Sequence, residues 1–170
     1  YSGNMGMTHD IDKIVDVANI LRDIDRIHFL FIGEGAKKTV VEKKITDYKI
    51  HNCTILPFQP LDILPYSIGA ADIAVVTTDA KQSGLSVPSK TYTYMSAGAA
   101  LLCLADDNTE LSRLAKENNI GKCFHGDGIE EIAQFIKVLA GDGNLLEWYK
   151  TNSRKASMQY SPENAKQYVL

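Results

Sequence analysis

The sequence predicts an α/β domain built on a parallel sheet of about six strands, with helices on both faces. Two observations predict it. Short, nearly continuous apolar runs alternate along the 170 residues with segments whose apolar positions recur at helical spacing. Clusters of glycine, proline and serine follow several of those runs, where the chain must leave a strand.

Tyr1-Ser2 leads directly into Gly3-Asn4-Met5-Gly6, a turn-forming loop with only two strand-like residues ahead of it. A strand normally has about five or six. This one is expected to be cut short, with the chain as the trailing part of a longer polypeptide. Ile11, Ile14, Val15, Val17, Ala18 and Leu21 mark the first helix, with Asp10 as its expected N-cap. Residues 27–32 (I-H-F-L-F-I) read as a buried strand closed by Gly33-Glu34-Gly35, and a polar amphipathic helix follows over 37–47. A strand at 53–56 runs into Pro57-Phe58-Gln59-Pro60. Residues 62–71 read as helix, 73–77 as strand and 78–83 as loop.

Residues 84–98, G-L-S-V-P-S-K-T-Y-T-Y-M-S-A-G, read as a loop that turns into a helix. Pro88 suits a first-turn position, Ser89 can cap backbone donors, and Gly98 ends the helix. The apolar run 99–105 reads as a buried strand, 110–118 as helix and 121–125 as strand. Helices at 129–139 and about 144–158 follow, the last carrying Trp148. The order implies a Rossmann-like sheet with crossovers of the usual hand. In such sheets ligands bind beyond the carboxyl ends of the strands. That rule selects the loops 3–6, 33–35, 57–60 and 78–89.

A hydrophobic fraction of 45% and a charged fraction of 23% are ordinary for a globular domain. A net charge of -3 gives no general attraction to nucleic acid or anionic lipid, so any anion site must be local. Cys53, Cys103 and Cys123 are too few and too scattered for a disulfide framework. Cys53 and Cys103 fall in or beside apolar runs, as small buried side chains in a reducing compartment would. No run approaches the roughly 18 apolar residues of a membrane span, and no secretory signal is visible.

The candidate chemistry centres on anion binding. A lysine at 90, hydroxyls at 86 and 89 and backbone donors at a helix start are what a phosphate needs. Gly3-x-x-Gly6 suits either close approach of a diphosphate or sugar, or a tight turn needing positive φ. It lacks the third glycine of the dinucleotide fingerprint. Gly33-Glu34-Gly35 shares that ambiguity, its place after a buried strand favouring close approach to a ligand. Glu34 suits bonds from sugar hydroxyls or plain solvation at a helix start. Phe58 suits either packing beside a flat base or covering the core. The histidines at 9, 28, 51 and 125 show no metal-ligand spacing; His28 reads as structural, and His9 alone lies near a ligand loop. Lys150, Arg154 and Lys155 read as a solvated helix face.

In this order the motifs Y-S-G-N-M-G, F-I-G-E-G-A, T-I-L-P-F-Q-P, A-A-D-I-A-V-V and V-P-S-K-T-Y-T-Y-M-S-A-G span the chain. Jointly they resemble the C-terminal, donor-binding domain of GT-B glycosyltransferases of the group 1 family. The bacterial branch that builds surface polysaccharides, with P-S-K in this helix, is similar. The resemblance implies that residues 1–170 are a single nucleotide-sugar-binding domain, the C-terminal half of a GT-B fold, lacking its N-terminal acceptor domain. It implies that Gly3, Asn4, Met5 and Gly6 face the donor's diphosphate, and that Gly33, Glu34 and Gly35 lie near the nucleotide. Phe58 and Gln59 would hold the base, and Ser86, Val87, Pro88 and Ser89 would approach the transferred sugar and phosphates. Lys90 would stabilise the departing diphosphate, and Thr93 falls where many relatives carry a ribose-binding glutamate.

There are departures. The glutamate pair of the family would fall at Leu85 and Thr93, and the basic residue after the first glycine loop is replaced by Met7 and Thr8. Lys90 is then the main cation for the diphosphate. The implied reaction is retaining transfer of a hexose from a nucleotide sugar, UDP-linked, to a polysaccharide or lipid-linked acceptor. It needs no metal or other cofactor, because charge stabilisation falls to the protein. Its setting would be the cytoplasm, at the inner face of the membrane through the missing half, and the domain alone would be inactive. A nucleotide-sugar epimerase of the same architecture and a non-catalytic nucleotide-sensing module are the alternatives.

Overall fold

The computed structural model describes residues 1–78, 86–125 and 127–160. The chain alternates α1 (Ile11–Ile20), β1 (Phe29–Ile32), α2 (Lys38–Tyr48), β2 (Cys53–Leu56), α3 (Leu64–Gly69) and β3 (Ile73–Thr77). It continues with α4 (Lys90–Ala97), β4 (Ala100–Leu104), α5 (Glu110–Glu117), β5 (Gly121–Phe124), α6 (Ile129–Gly141) and α7 (Gly143–Ser157). A 3-10 turn at Met158–Tyr160 ends the described part. Loop residues 79–85, including Gly84 and Leu85, lie outside the described residues.

All pairing is parallel, as the apolar runs require. β1 pairs with β2 from Phe29↔Cys53, while β4 lies between β3 and β5 from Ile73↔Ala100 and Leu101↔Gly121. The described strands number five rather than about six, in sheets of two and three. Ser2 contributes an isolated parallel bridge to Ile32. β1 is also shorter than residues 27–32. Its ladder begins where Phe29 N–H donates to Asn52 C=O, leaving His28 ahead of the strand, exposed, with a ring nitrogen 2.8 Å from Thr54 Oγ1.

The core has two parts, one on each face. β4 is buried along its whole length. Its alternation sends Leu102 and Leu104 toward α1 and α6, where Ile11, Ile14, Ile132 and Ile136 pack. Leu101 and Cys103 face α4 and α5 with Met95 and Leu111. Each fully buried aliphatic side chain contributes roughly 1.5–3 kcal/mol. Cys103 and Cys123 are register partners across β4 and β5, and all three cysteines are free thiols, with Cys53 half-buried and Cys103 buried.

Helix ends depart most from expectation. Asp10 stands at the N-cap of α1 without a side-chain capping bond; its carboxylate meets Lys13 Nζ at 3.3 Å instead. Ser89 stands at the N-cap of α4 already in helical φ/ψ, so its hydroxyl makes no cap bond. Pro88 precedes that cap instead of occupying the first turn, and its C=O receives Thr91 N–H at 2.9 Å. α3 starts at Leu64 and not at 62, with Pro65 in the first turn where a proline is tolerated. Working caps are Thr109, accepting from Ser112 N–H, and Asp142, accepting from Leu145 N–H. Gly98 closes α4 in the left-handed conformation, as expected.

The basic residues of α7 are not all a solvated face. Lys150, with a side chain 17% exposed, ties α7 to Asp72 at 2.9 Å and pairs with Glu147 on the same helix at 3.2 Å. Arg154 lies against the end of α4, its guanidinium 2.3 Å from where a methyl on Gly98 would sit.

Candidate functional site

The loops after Ser2, β1 and β2 gather at the carboxyl edge, and the end of β3 and the start of α4 join them. Two of these loops interlock. Gly3 N–H donates to Ile32 C=O at 2.9 Å, Met5 N–H to Glu34 C=O at 2.8 Å, and Lys37 N–H to Met5 C=O at 2.9 Å. Gly33 has φ +137, and a methyl there would lie 2.0 Å from Gly3 O. The close approach that demands glycine at 33 is therefore to the first loop. Gly35 is likewise pressed against Met5 O, at 2.5 Å from the methyl position.

Lys90 reaches from α4 into this junction. Its Nζ lies 3.2 Å from Tyr1 Oη and 4.3 Å from the Tyr1 ring centroid, a cation–π contact. The same nitrogen sits 2.9 Å from where a methyl on Gly3 would be, and it is the φ of +144 at Gly3, more than the flexible lysine tip, that calls for glycine there. Burial pulls its pKa down to about 8. Among the described residues no carboxylate pairs with it.

Tyr1 is the residue that sequence reasoning missed. Its hydroxyl donates to Asn4 C=O, and burial pushes its pKa up to about 12. The signal was an aromatic ending a strand directly before a glycine loop. Behind it, Tyr94 Oη bonds Ser2 N–H at 2.9 Å and Ser2 C=O at 3.0 Å, fixing the strand end against α4. His9 comes in from the start of α1, its Nδ1 bonded to Thr77 Oγ1 at the end of β3 and its ring beside Gly6.

The remaining candidates divide. Asn4, Ser86 and Ser89 are exposed at this edge, and Val87 and Pro88 are half-buried, Val87 packing on the α4–α5 core. Phe58 is 55% exposed with its ring edge 3.3 Å from the Gly33 methyl position, so it stands at the rim instead of covering the core. Gln59 folds back, Nε2 donating to Pro57 C=O at 2.9 Å. Thr93 is exposed on α4, one turn from Lys90. Two further candidates are engaged within the protein. The Met5 side chain is fully buried in the core, and both its backbone groups are taken by the second loop. The Glu34 carboxylate is held by Lys38 Nζ at 2.8 and 2.9 Å. Among the described residues no group of three or more His, Cys, Asp or Glu side chains is placed to hold a metal ion.

The arrangement offers a half-buried cation, exposed hydroxyls and an aromatic rim at the carboxyl edge of a parallel sheet. No protein-family model matches the chain. Over 121 residues it is 30% identical to the probable glycosyltransferase WbjE of Pseudomonas aeruginosa, covering 71% of this chain and 30% of that protein. Over 138 residues it is 26% identical to the putative colanic acid biosynthesis glycosyl transferase WcaI of Escherichia coli, covering 81% and 34%. The chain thus spans about a third of the length of these curated relatives. Its fold matches a mutant of Staphylococcus aureus TarM solved in complex with fondaparinux, α-GlcNAc-glycerol and UDP. That match has a TM-score of 0.81 and 17% identity over 99% of this chain and 34% of that one. The C-terminal domain of the group 1 family glycosyl transferase LpcC from Francisella tularensis matches at a TM-score of 0.73 and 17% identity, over 94% and 85%.

Proposed function

Because the chain belongs to the GT-B glycosyltransferases of the group 1 family, we propose that it is the half of such an enzyme that binds the donor, a UDP-linked sugar. The observation that carries this reading is Lys90, a half-buried cation with no carboxylate partner among the described residues, facing the first glycine loop. The UDP bound in TarM, whose fold this chain shares, supports the choice of nucleotide.

Loss of the sugar adds negative charge to the nucleoside diphosphate. Lys90, with the backbone N–H groups that open α4, stabilises that charge as it develops, which lowers the barrier more than it tightens substrate binding. Asn4, Gly3 and Gly6 border the diphosphate, Ser86 and Ser89 the sugar and phosphates, Thr93 the ribose, and the rim formed by Phe58 and Gln59 the base. No metal takes part, since Lys90 supplies the neutralising charge. Transfer retains the anomeric configuration of a hexose and delivers it to a polysaccharide or lipid-linked acceptor. That acceptor is held by an N-terminal domain in a longer protein working at the cytoplasmic face of the membrane. WcaI, named for colanic acid biosynthesis, supports the choice of acceptor class.

Calorimetric titration of UDP, GDP and ADP tests the reading. Heat is expected with UDP, and affinity is expected to fall at least about tenfold in Lys90→Ala, the scale of one lost charge-assisted contact. Silence with UDP beside heat with GDP overturns the base assignment. Unchanged UDP affinity in Lys90→Ala overturns the anion site.

A further inference from the structure

The lysines of this chain are held in two different ways. Lys13, Lys37, Lys38, Lys44 and Lys150 each lie 2.6–2.9 Å from a carboxylate oxygen. An opposite charge at that distance favours the ammonium form and occupies it. Lys90 has no such partner among the described residues. Its Nζ meets Tyr1 Oη at 3.2 Å and lies over the Tyr1 ring.

Tyr1 Oη spends its own proton on Asn4 C=O, so toward Lys90 it can only accept. It therefore anchors one N–H of an uncharged amine and leaves the nitrogen lone pair unengaged. Burial supplies the uncharged form. With the pKa pulled down to about 8, roughly a quarter of the Lys90 amines are neutral near pH 7.5, against about one in a thousand for an ordinary lysine. A half-buried, oriented nucleophile thus stands beside the start of α4, where the exposed hydroxyls of Ser86 and Ser89 lie.

We propose that Lys90 is a modification site, its Nζ taking the acyl group of a small acyl phosphate whose phosphate occupies the place of the donor's diphosphate. The proposal rests on the donor reading for where that phosphate sits. Holding it at the helix start brings the acyl carbon to Nζ and makes the transfer effectively intramolecular. The Nζ lone pair attacks the acyl carbon, and the carbon–oxygen bond to the phosphate breaks. Phosphate leaves with that electron pair and takes up the proton that the amine gives up. The products are an uncharged amide at Lys90 and inorganic phosphate; no oxidant or reductant is needed. The amide removes the cation from the donor site, so acylation turns donor binding off.

Two reagents test this on the chain as it stands. Acetyl phosphate carries the phosphate, and the N-hydroxysuccinimide ester of acetic acid does not. Peptide mass spectrometry reads the rate at each lysine. With acetyl phosphate, Lys90 is expected to react at least about tenfold faster than the exposed Lys49 and Lys116. With the ester that preference is expected to shrink at least about threefold, and inorganic phosphate is expected to slow acetyl phosphate at Lys90 alone. Equal rates at the three lysines overturn the proposal. So does an equal preference with both reagents, or a Lys90 rate that phosphate leaves unchanged. Protection by phosphate but not by UDP sinks the donor reading and leaves the acyl-phosphate site standing. An acetylated chain that keeps the UDP affinity lost in Lys90→Ala overturns the switch.

Discussion

Lys90 and Gly33 carry opposite kinds of constraint on the same small volume. With its folded pKa near 8 against 10.5 in the unfolded chain, Lys90 makes the unfolded state bind more protons between those values. Its contribution therefore raises the stability of the nucleotide-free chain as pH climbs from about 8 to 10.5. Nucleotide affinity is expected to move the other way, since the cation disappears over the same range. At pH 8.5 UDP binding should take up protons, making the calorimetric heat depend on the ionisation enthalpy of the buffer; the same heat in every buffer would contradict it. Tyr1→Phe keeps the ring under Lys90 and loses the hydroxyl, so it should weaken UDP binding less than Tyr1→Leu does. Gly33→Ala forces a methyl onto Gly3 O at a φ that side chains avoid, and should destabilise by about 3 kcal/mol in denaturant titration. The glycines were legible as special positions. Their purpose was not, because the partner of Gly33 is another loop distant in sequence, and spacing reports only local geometry.

Among the elements, β4 is the one whose burial follows from composition alone. An unbroken apolar run between a helix-ending glycine and a charged loop must be covered on both faces, and every residue of β4 is buried. Leu102→Ala should cost about 3 kcal/mol, read as a lower denaturation midpoint with an unchanged slope. Lys150→Ala should change stability by less than about 1 kcal/mol, because its partner Asp72 is 67% exposed. Strands 53–56 and 73–77 have the bounds read from the sequence. Helix starts were harder. Asp10 and Ser89 have the right chemistry for caps, but their side chains make no capping bond, one turned to Lys13 and the other already wound into the helix. Propensity names the residue at a terminus; it does not fix the rotamer that does the bonding.

For the molecule as a whole, the parallel architecture and the edge at which the loops 3–6, 33–35 and 57–60 meet were both readable from the alternation of runs. The split into two sheets was not, since it depends on which backbone flanks β1 and β3. The chain alone is expected to bind UDP in calorimetry and to transfer no sugar in a radiolabelled donor assay, because it spans about a third of the relatives' length. Turnover by the chain alone would contradict this. The hydrogen-bonded junction of the two glycine loops also bears on protein engineering. Gly3 and Gly33 fit like the halves of a dovetail joint. A donor preference grafted from another transferase into one loop alone would meet a mismatched counterpart, so altered specificity calls for transplanting both together.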